Sequence, residues 1–213
     1  MKKLIAIIAL LALICTLTGC GQKEDPLAGI PNPEVTIHLS NGSDMRFELF
    51  VQEAPNTVAN CVELAKSGFY DGMVFFRVVP GVLIQSGDPR GNGTGNAGYL
   101  IQGEFAENGI ENNIAHTRGT ISMARQSGYD TASSQFFIMQ GNYPEYNGQY
   151  AAFGRATDEA SLAAIDKIAS TVVDSNYYPV GSVPTIKSID VETHGYKYEA
   201  ATMEIPEEEE EKK

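Results

Sequence analysis

The chain opens its first ordered pattern with alternation: Val35, Ile37 and Leu39 are apolar around Thr36 and His38, and Met45, Phe47 and Leu49 alternate with Arg46 and Glu48. A period of two predicts strands with one buried face, and Asn41-Gly42 between the runs predicts a tight hairpin turn. From Val58 the period lengthens. Val58, Cys61, Val62, Leu64 and Ala65 recur at helical spacing, predicting a helix capped by Asn56 or Thr57 and stopped near Ser67-Gly68. Short apolar runs follow at 73–79, 82–85, 120–124, 135–139 and 150–153, most of them separated by glycine or proline. A second helix is predicted over 158–170, with Leu162, Ile165 and Ile168 on one face, and a last strand over 185–192. Many short strands with two helices point to a closed β-barrel or to a sandwich with helical caps, and periodicity does not choose between them.

The two ends of the chain read differently. Residues 1–19 combine Lys2 and Lys3, an apolar run over 4–14, and the small-residue ending Leu17-Thr18-Gly19 before Cys20. That is the layout of a secretory signal, with an apolar stretch short for a membrane span. The ending resembles a bacterial lipobox, in which the cysteine thiol takes a diacylglyceryl group and becomes the mature N-terminus. Lipidation of Cys20 is therefore expected, and with it a place on the extracytoplasmic face of the cell membrane; a plain signal peptide or an uncleaved anchor are the alternatives. Residues 20–33 read as a polar tether bearing Pro26, Pro31 and Pro33. Residues 196–213 end in five consecutive glutamates and two lysines and read as an acidic, solvated, disordered tail.

What remains, 34–195, suits one domain with a single core. The formal charge of −12 argues against nucleic acid and against electrostatic docking on anionic lipid. Of three cysteines, Cys15 leaves with the signal and Cys20 is lipidated, so Cys61 has no partner for a disulfide and is expected to be a small buried residue. Gly93-x-Gly95-x-x-Gly98 satisfies a dinucleotide-binding string, yet Tyr99-Leu100-Ile101 follows where a helix should open. His38, His116 and His194 are dispersed without metal-ligand spacing.

The middle of the chain carries a resemblance. Residues 69–81 (Phe-Tyr-Asp-Gly-Met-Val-Phe-Phe-Arg-Val-Val-Pro-Gly) lead into Leu83-Ile84-Gln85-Ser86-Gly87-Asp88-Pro89. Then come Gly93-Thr94-Gly95, His116-Thr117-Arg118-Gly119-Thr120-Ile121-Ser122-Met123-Ala124-Arg125, Ser134-Gln135-Phe136-Phe137-Ile138, and the block from Asn147 to Gly154. In this order and spacing they resemble the cyclophilin family of peptidyl-prolyl cis/trans isomerases, over roughly residues 34 to 193. The resemblance implies an eight-stranded antiparallel β-barrel, a helix closing each end, and an active groove on the outer wall.

It also implies roles. Arg77 matches the catalytic arginine and Gln85 the glutamine that buttresses it and contacts the peptide. Phe137 and Leu83 match walls of the proline pocket. Ala124 and Arg125 match residues that meet substrate through the backbone, Gln135 a polar groove residue, and Tyr146 and Tyr150 further groove positions. Val82 stands where most relatives carry phenylalanine, and Leu83 where they carry methionine, so a wider pocket is expected. Glu145 replaces a tryptophan on which tight cyclosporin binding depends in some members, so weak binding of that drug is expected. The implied partners are proline-containing, extended or unfolded polypeptides, with membrane contact through the lipid alone, no nucleic acid, no metal or other cofactor, and a monomeric chain. The alternative activity is a weakly active or inactive barrel that grips proline peptides as a chaperone.

Overall fold

The computed structural model describes residues 27–206. The first two alternating runs pair as β1 (Glu34–Leu39) and β2 (Asp44–Leu49), with Val35 opposite Phe47 and Ile37 opposite Met45. Those four side chains and Leu39 and Leu49 are buried, each at 3% exposure or less.

Helix α1 (Pro55–Lys66) follows, and its start differs from expectation. Neither Asn56 nor Thr57 caps it; the N-cap is Ala54, which has no side chain to offer. The buried carboxylate of Glu104 takes that place, accepting from the N–H groups of Asn56 (3.0 Å) and Thr57 (2.7 Å). It satisfies two of the donors that a helix leaves open at its first turn and lies at the positive end of the helix dipole. The helix ends at Ser67, and Gly68 turns the chain at φ +73°, where a side chain would be strained.

Six further strands complete the sheet: β3 (Arg77–Val79), β4 (Leu83–Ser86), β5 (Thr120–Met123), β6 (Phe136–Met139), β7 (Ala152–Ala156) and β8 (Ile186–Glu192). Helix α2 (Glu159–Ala169) lies between β7 and β8, and Asp158 caps it by accepting from the N–H of Ser161 at 2.7 Å. Every pairing is antiparallel, in the order β3-β4-β6-β5-β7-β2-β1-β8. The apolar run 73–79 explains how the edges meet. Its second half pairs with β4, whereas Val74 bridges to Thr185 and Met73 O accepts from Ile186 N at 2.8 Å. The chain changes partner at Phe75-Phe76, and the sheet curls shut into a barrel rather than a sandwich.

Inside the wall lie Ile37, Met45, Phe47, Leu49, Val78, Ile84, Ile121, Phe136, Ile138 and Phe153. Helix α1 packs against β8 and adds Val58 and Val62, and α2 packs against β2 and adds Ile165 and Ile168. Each such aliphatic side chain contributes roughly 1.5–3 kcal/mol on full burial. No helix among the described residues is long and apolar enough to cross a membrane.

Residues 196–206, assigned on composition to a solvated tail, pack back on the barrel. Asn56 exchanges two hydrogen bonds with Ala201 (3.0 and 2.7 Å), Leu100 and Met203 exchange two backbone bonds, and Tyr198 is buried with its hydroxyl on the Pro31 carbonyl. Tyr198 buries its ring against the barrel, whereas Met203 is held by its backbone and leaves its side chain exposed. The glutamate run itself, 207–211, lies outside the described residues, as do the stretch read as a signal, Cys20 and the first half of the expected tether, 20–26.

Candidate active site

Strand register builds the site. β4, β5 and β6 are buried at all four positions, so both of their faces are covered. Side chains alternate between faces along a strand. Ile84, Ile121, Phe136 and Ile138 join the barrel core, while Leu83, Phe137 and Met139 form a separate apolar cluster on the other face. Of the two adjacent phenylalanines, one therefore goes to the core and one to the groove. Arg77 is opposite Gln85, Gln85 opposite Phe137, and Phe137 opposite Ser122, so four neighbouring strands set these residues in one outward row. Neighbouring strands are about 4.8 Å apart, which brings the Arg77 backbone within about 10 Å of that of Phe137.

Hydrogen bonds then fix the polar members. The half-buried Arg77 donates through Nη1 to Oε1 of Gln85 at 3.1 Å. Gln85 Nε2 donates to Oε1 of Gln135 at 2.9 Å, and Gln135 Nε2 donates to the carbonyls of Gly93 (3.1 Å) and Gly95 (2.8 Å). The chain is polar from end to end and anchored in the glycine loop. Asp88 holds that loop: its carboxylate accepts from the N–H groups of Arg90, Asn92 and Gly93 at 2.7, 3.0 and 2.5 Å. Burial opposes its ionisation, but these donors outweigh burial and keep its pKa below the ordinary value. Gly95 is required beside it, because a Cβ there would overlap the Asp88 carboxylate.

The result is a cleft of about 330 Å³, lined by Arg77, Leu83, Gln85, Ala124, Arg125, Gln135, Phe137, Tyr146 and Tyr150 among others. Nine of the ten residues singled out in the sequence for catalysis or substrate binding thus share one cavity. Val82 does not line it; it is partly buried and packs against the Leu83–Phe137–Met139 cluster. The aromatic walls are set edge to face, with Phe137 centred 6.0 Å from Tyr146 and 5.5 Å from Tyr150. Burial, and then the neighbouring Tyr150, hold the Tyr146 phenol above its ordinary pKa, so it remains protonated.

Arg125 turns its side chain into an aromatic box. Its guanidinium lies over the rings of Tyr150 (5.0 Å), Phe105 (5.1 Å) and Tyr129 (5.3 Å), and Nε donates to the Gln149 carbonyl at 3.0 Å. It steadies the Tyr150 wall, while the N–H of Ala124 is taken by the Gln135 carbonyl at 2.9 Å.

Several contributors escaped the sequence reading. His116, which opens one of the resemblance blocks but was given no role at the site, stacks on Phe137 (5.9 Å, 19°). Its Nδ1 is 3.1 Å from Oδ1 of Asn147, which can only accept, so Nδ1 carries the proton and Nε2 accepts from Ser122 Oγ at 3.0 Å. Burial outweighs the Asn147 bond and lowers its pKa. Phe76, Leu100 and Tyr178 also line the cleft. Tyr178 stands beyond α2, and no local pattern points to it. Cys61 is buried, with its thiol pushed up to about 12 by burial, which leaves it a packing residue. Among the described residues no group of His, Cys, Asp and Glu could hold a metal ion.

An arginine is always charged and can offer a donor to a nitrogen that gains lone-pair character. Beside it, an apolar slot walled by Leu83 and Phe137 accepts a ring without polar demands. Such a cleft can bind an extended peptide and stabilise a twisted amide with no covalent step.

Comparison with known proteins agrees with this geometry. The cyclophilin type peptidyl-prolyl cis-trans isomerase family matches residues 34–191. A peptidyl-prolyl cis-trans isomerase of Helicobacter pylori is 43% identical over 146 residues, covering 68% of this chain and 85% of that protein. Peptidyl-prolyl cis-trans isomerase B of Bacillus subtilis is 44% identical over 125 residues, covering 59% of this chain and 84% of its own. Among solved structures, a Cryptosporidium parvum cyclophilin type peptidyl-prolyl cis-trans isomerase superposes with a TM-score of 0.65 at 29% identity, covering 76% of this chain and 98% of that one. Another structure of it, in the presence of the dipeptide Ala-Pro, gives 0.63 at 31% identity, covering 75% of this chain and 98% of that one. The chain belongs to the cyclophilin family and is a peptidyl-prolyl cis-trans isomerase.

Proposed function

We propose that this isomerase turns the X-Pro bonds of exported, incompletely folded polypeptides at a membrane surface, with Arg77 as its catalytic residue. The observation that carries the catalytic part is the Arg77 guanidinium, held by Gln85 at 3.1 Å, in one cleft with Leu83 and Phe137. Amide resonance opposes rotation with a barrier of roughly 18–20 kcal/mol, and a 10⁵-fold acceleration needs about 7 kcal/mol of that removed. As the bond twists, its nitrogen regains a lone pair. Arg77 donates to that nitrogen, the Leu83–Phe137 slot grips the pyrrolidine, and Tyr146, Tyr150 and the Gln85–Gln135 pair border the path of the moving carbonyl. The Ala-Pro dipeptide present with the Cryptosporidium parvum relative supports a proline-containing peptide as substrate.

The location rests on sequence. Lys2, Lys3, the apolar run over 4–14 and Leu17-Thr18-Gly19-Cys20 support export and lipid attachment at Cys20. Proline isomerisation takes tens of seconds unaided, slow enough to limit folding after translocation.

In a protease-coupled assay on an Ala-Pro tetrapeptide, Arg77→Ala is expected to lower kcat/KM by about 10²- to 10³-fold. Unchanged turnover would remove Arg77 from the mechanism. Mass spectrometry of the mature N-terminus tests the location: an unacylated start beyond Cys20 ends the lipoprotein reading.

A further inference from the structure

Of the eight large apolar side chains left exposed among the described residues, four fall in one nine-residue stretch between α2 and β8: Val172, Tyr177, Tyr178 and Val180. Val172 is 72% exposed and Val180 60%. A soluble surface rarely gathers such groups without a contact to make.

The stretch is a built hairpin. Val173 bridges to Pro179, Val180 N–H donates to the Val172 carbonyl at 2.8 Å, and Asp174 Oδ1 accepts from the N–H groups of Asn176 (2.8 Å) and Tyr178 (3.0 Å). Tyr177 sits at φ +66°, a conformation costly for a side chain of its size. In that conformation its carbonyl accepts from the N–H of Val78 at 2.9 Å, on the edge of β3 not paired with β4. The hairpin is thus fastened to the residue next to Arg77. Tyr178 continues from there to the cleft: its hydroxyl donates to the Asn92 carbonyl at 3.0 Å, and its ring lines the cavity with Phe76 and Gly93.

We propose that the 172–180 hairpin is a second contact surface for the polypeptide substrate, taking apolar side chains of an unfolded chain that extends past the cleft. The occupant follows from continuity, because one residue, Tyr178, belongs to both surfaces. A tetrapeptide spans only about 13 Å when extended, whereas a longer chain is able to run past Tyr178 toward Val172 and Val180. The stretch holds no basic residue and one aspartate, so it is selective for apolar rather than acidic segments. This inference rests on the cleft being the peptide site.

The test compares wild type with V172S/V180S, in residues outside the cleft, on two substrates. One is the Ala-Pro tetrapeptide; the other is an unfolded protein whose refolding is limited by a proline. The variant is expected to keep its thermal midpoint within about 2 °C, since exposed substitutions cost little. Its tetrapeptide kcat/KM stays within about twofold of wild type. Its acceleration of refolding falls about tenfold, because the substrate no longer buries an aliphatic side chain on the hairpin. V172S and V180S alone each give part of that loss. Equal refolding catalysis by wild type and double variant overturns the proposal while leaving the cleft intact. A wild type inert on the tetrapeptide overturns the cleft assignment instead. A wild-type dimer that V172S/V180S dissociates, or wild-type binding to phosphatidylcholine vesicles that the variant loses, would also overturn it, by assigning the patch to a second copy or to lipid.

Discussion

Replacing Gln85 by leucine separates the presence of the Arg77 charge from its aim. The substitution conserves much of the volume, removes the 3.1 Å bond to Arg77 and cuts the 2.9 Å link to Gln135. A hydrogen bond to a charged group is worth about 1.5–3 kcal/mol, and each 1.4 kcal/mol is a factor of ten in rate. The expected loss in kcat is therefore about 10- to 100-fold, below that of removing the guanidinium outright. Because the apolar slot of Leu83 and Phe137 is untouched, KM should move less than about threefold. The decisive comparison is a double-mutant cycle in the protease-coupled assay. If Gln85 acts by holding Arg77, R77A/Q85L loses no more than about threefold beyond R77A alone, since no guanidinium is left to hold. Losses that multiply would refute the reasoning and give Gln85 an independent role at the substrate.

Other consequences concern stability. Glu104→Ala leaves two N–H groups at the start of α1 without their acceptor and should cost about 2 kcal/mol, lowering Tm by roughly 4–8 °C in thermal unfolding. An unchanged Tm would mean the first turn finds other acceptors. Thr57 carries a buried hydroxyl with no partner among the described residues, so Thr57→Val should raise Tm by about 2–4 °C; a fall would show that the hydroxyl is satisfied. His116 has a lowered folded-state pKa, so the unfolded chain binds its proton more readily, and stability should fall as pH drops below about 6.5. His38 works in the opposite sense, because bonds to Asp44 and then Asp190 raise its pKa and favour the fold at lower pH. Denaturant melts of wild type and His116→Gln across that range isolate the His116 part, which must vanish in the variant.

Legibility from sequence followed solvent. β1 and β2 alternate plainly because one face meets the core and the other meets water. β4, β5 and β6 do not, because side chains such as His116, Tyr146 and Tyr150 pack over that region and both positions of the period are buried. Pattern alone therefore could not say which of Phe136 and Phe137 faces the barrel interior, nor choose a barrel over a sandwich. Gln135, 50 residues beyond Gln85, meets it only through register, and the family resemblance rather than any spacing brought the cleft residues together. The acceptor at the start of α1 stands 48 residues from Asn56, out of reach of any local capping rule. Residues 196–206 were hidden by their charged neighbours, although Tyr198 and Met203 tie them to Pro31 and Leu100.

Closure of the sheet through Val74 and Thr185 fixes a circular order, and in it β1 lies four strands from β6 by either route. The N-terminal approach to Glu34 and the Phe137 wall consequently occupy opposite points on the circumference. A bulky group fused ahead of Glu34 would therefore stand on the far side of the barrel from the cleft and leave its mouth open to an arriving polypeptide.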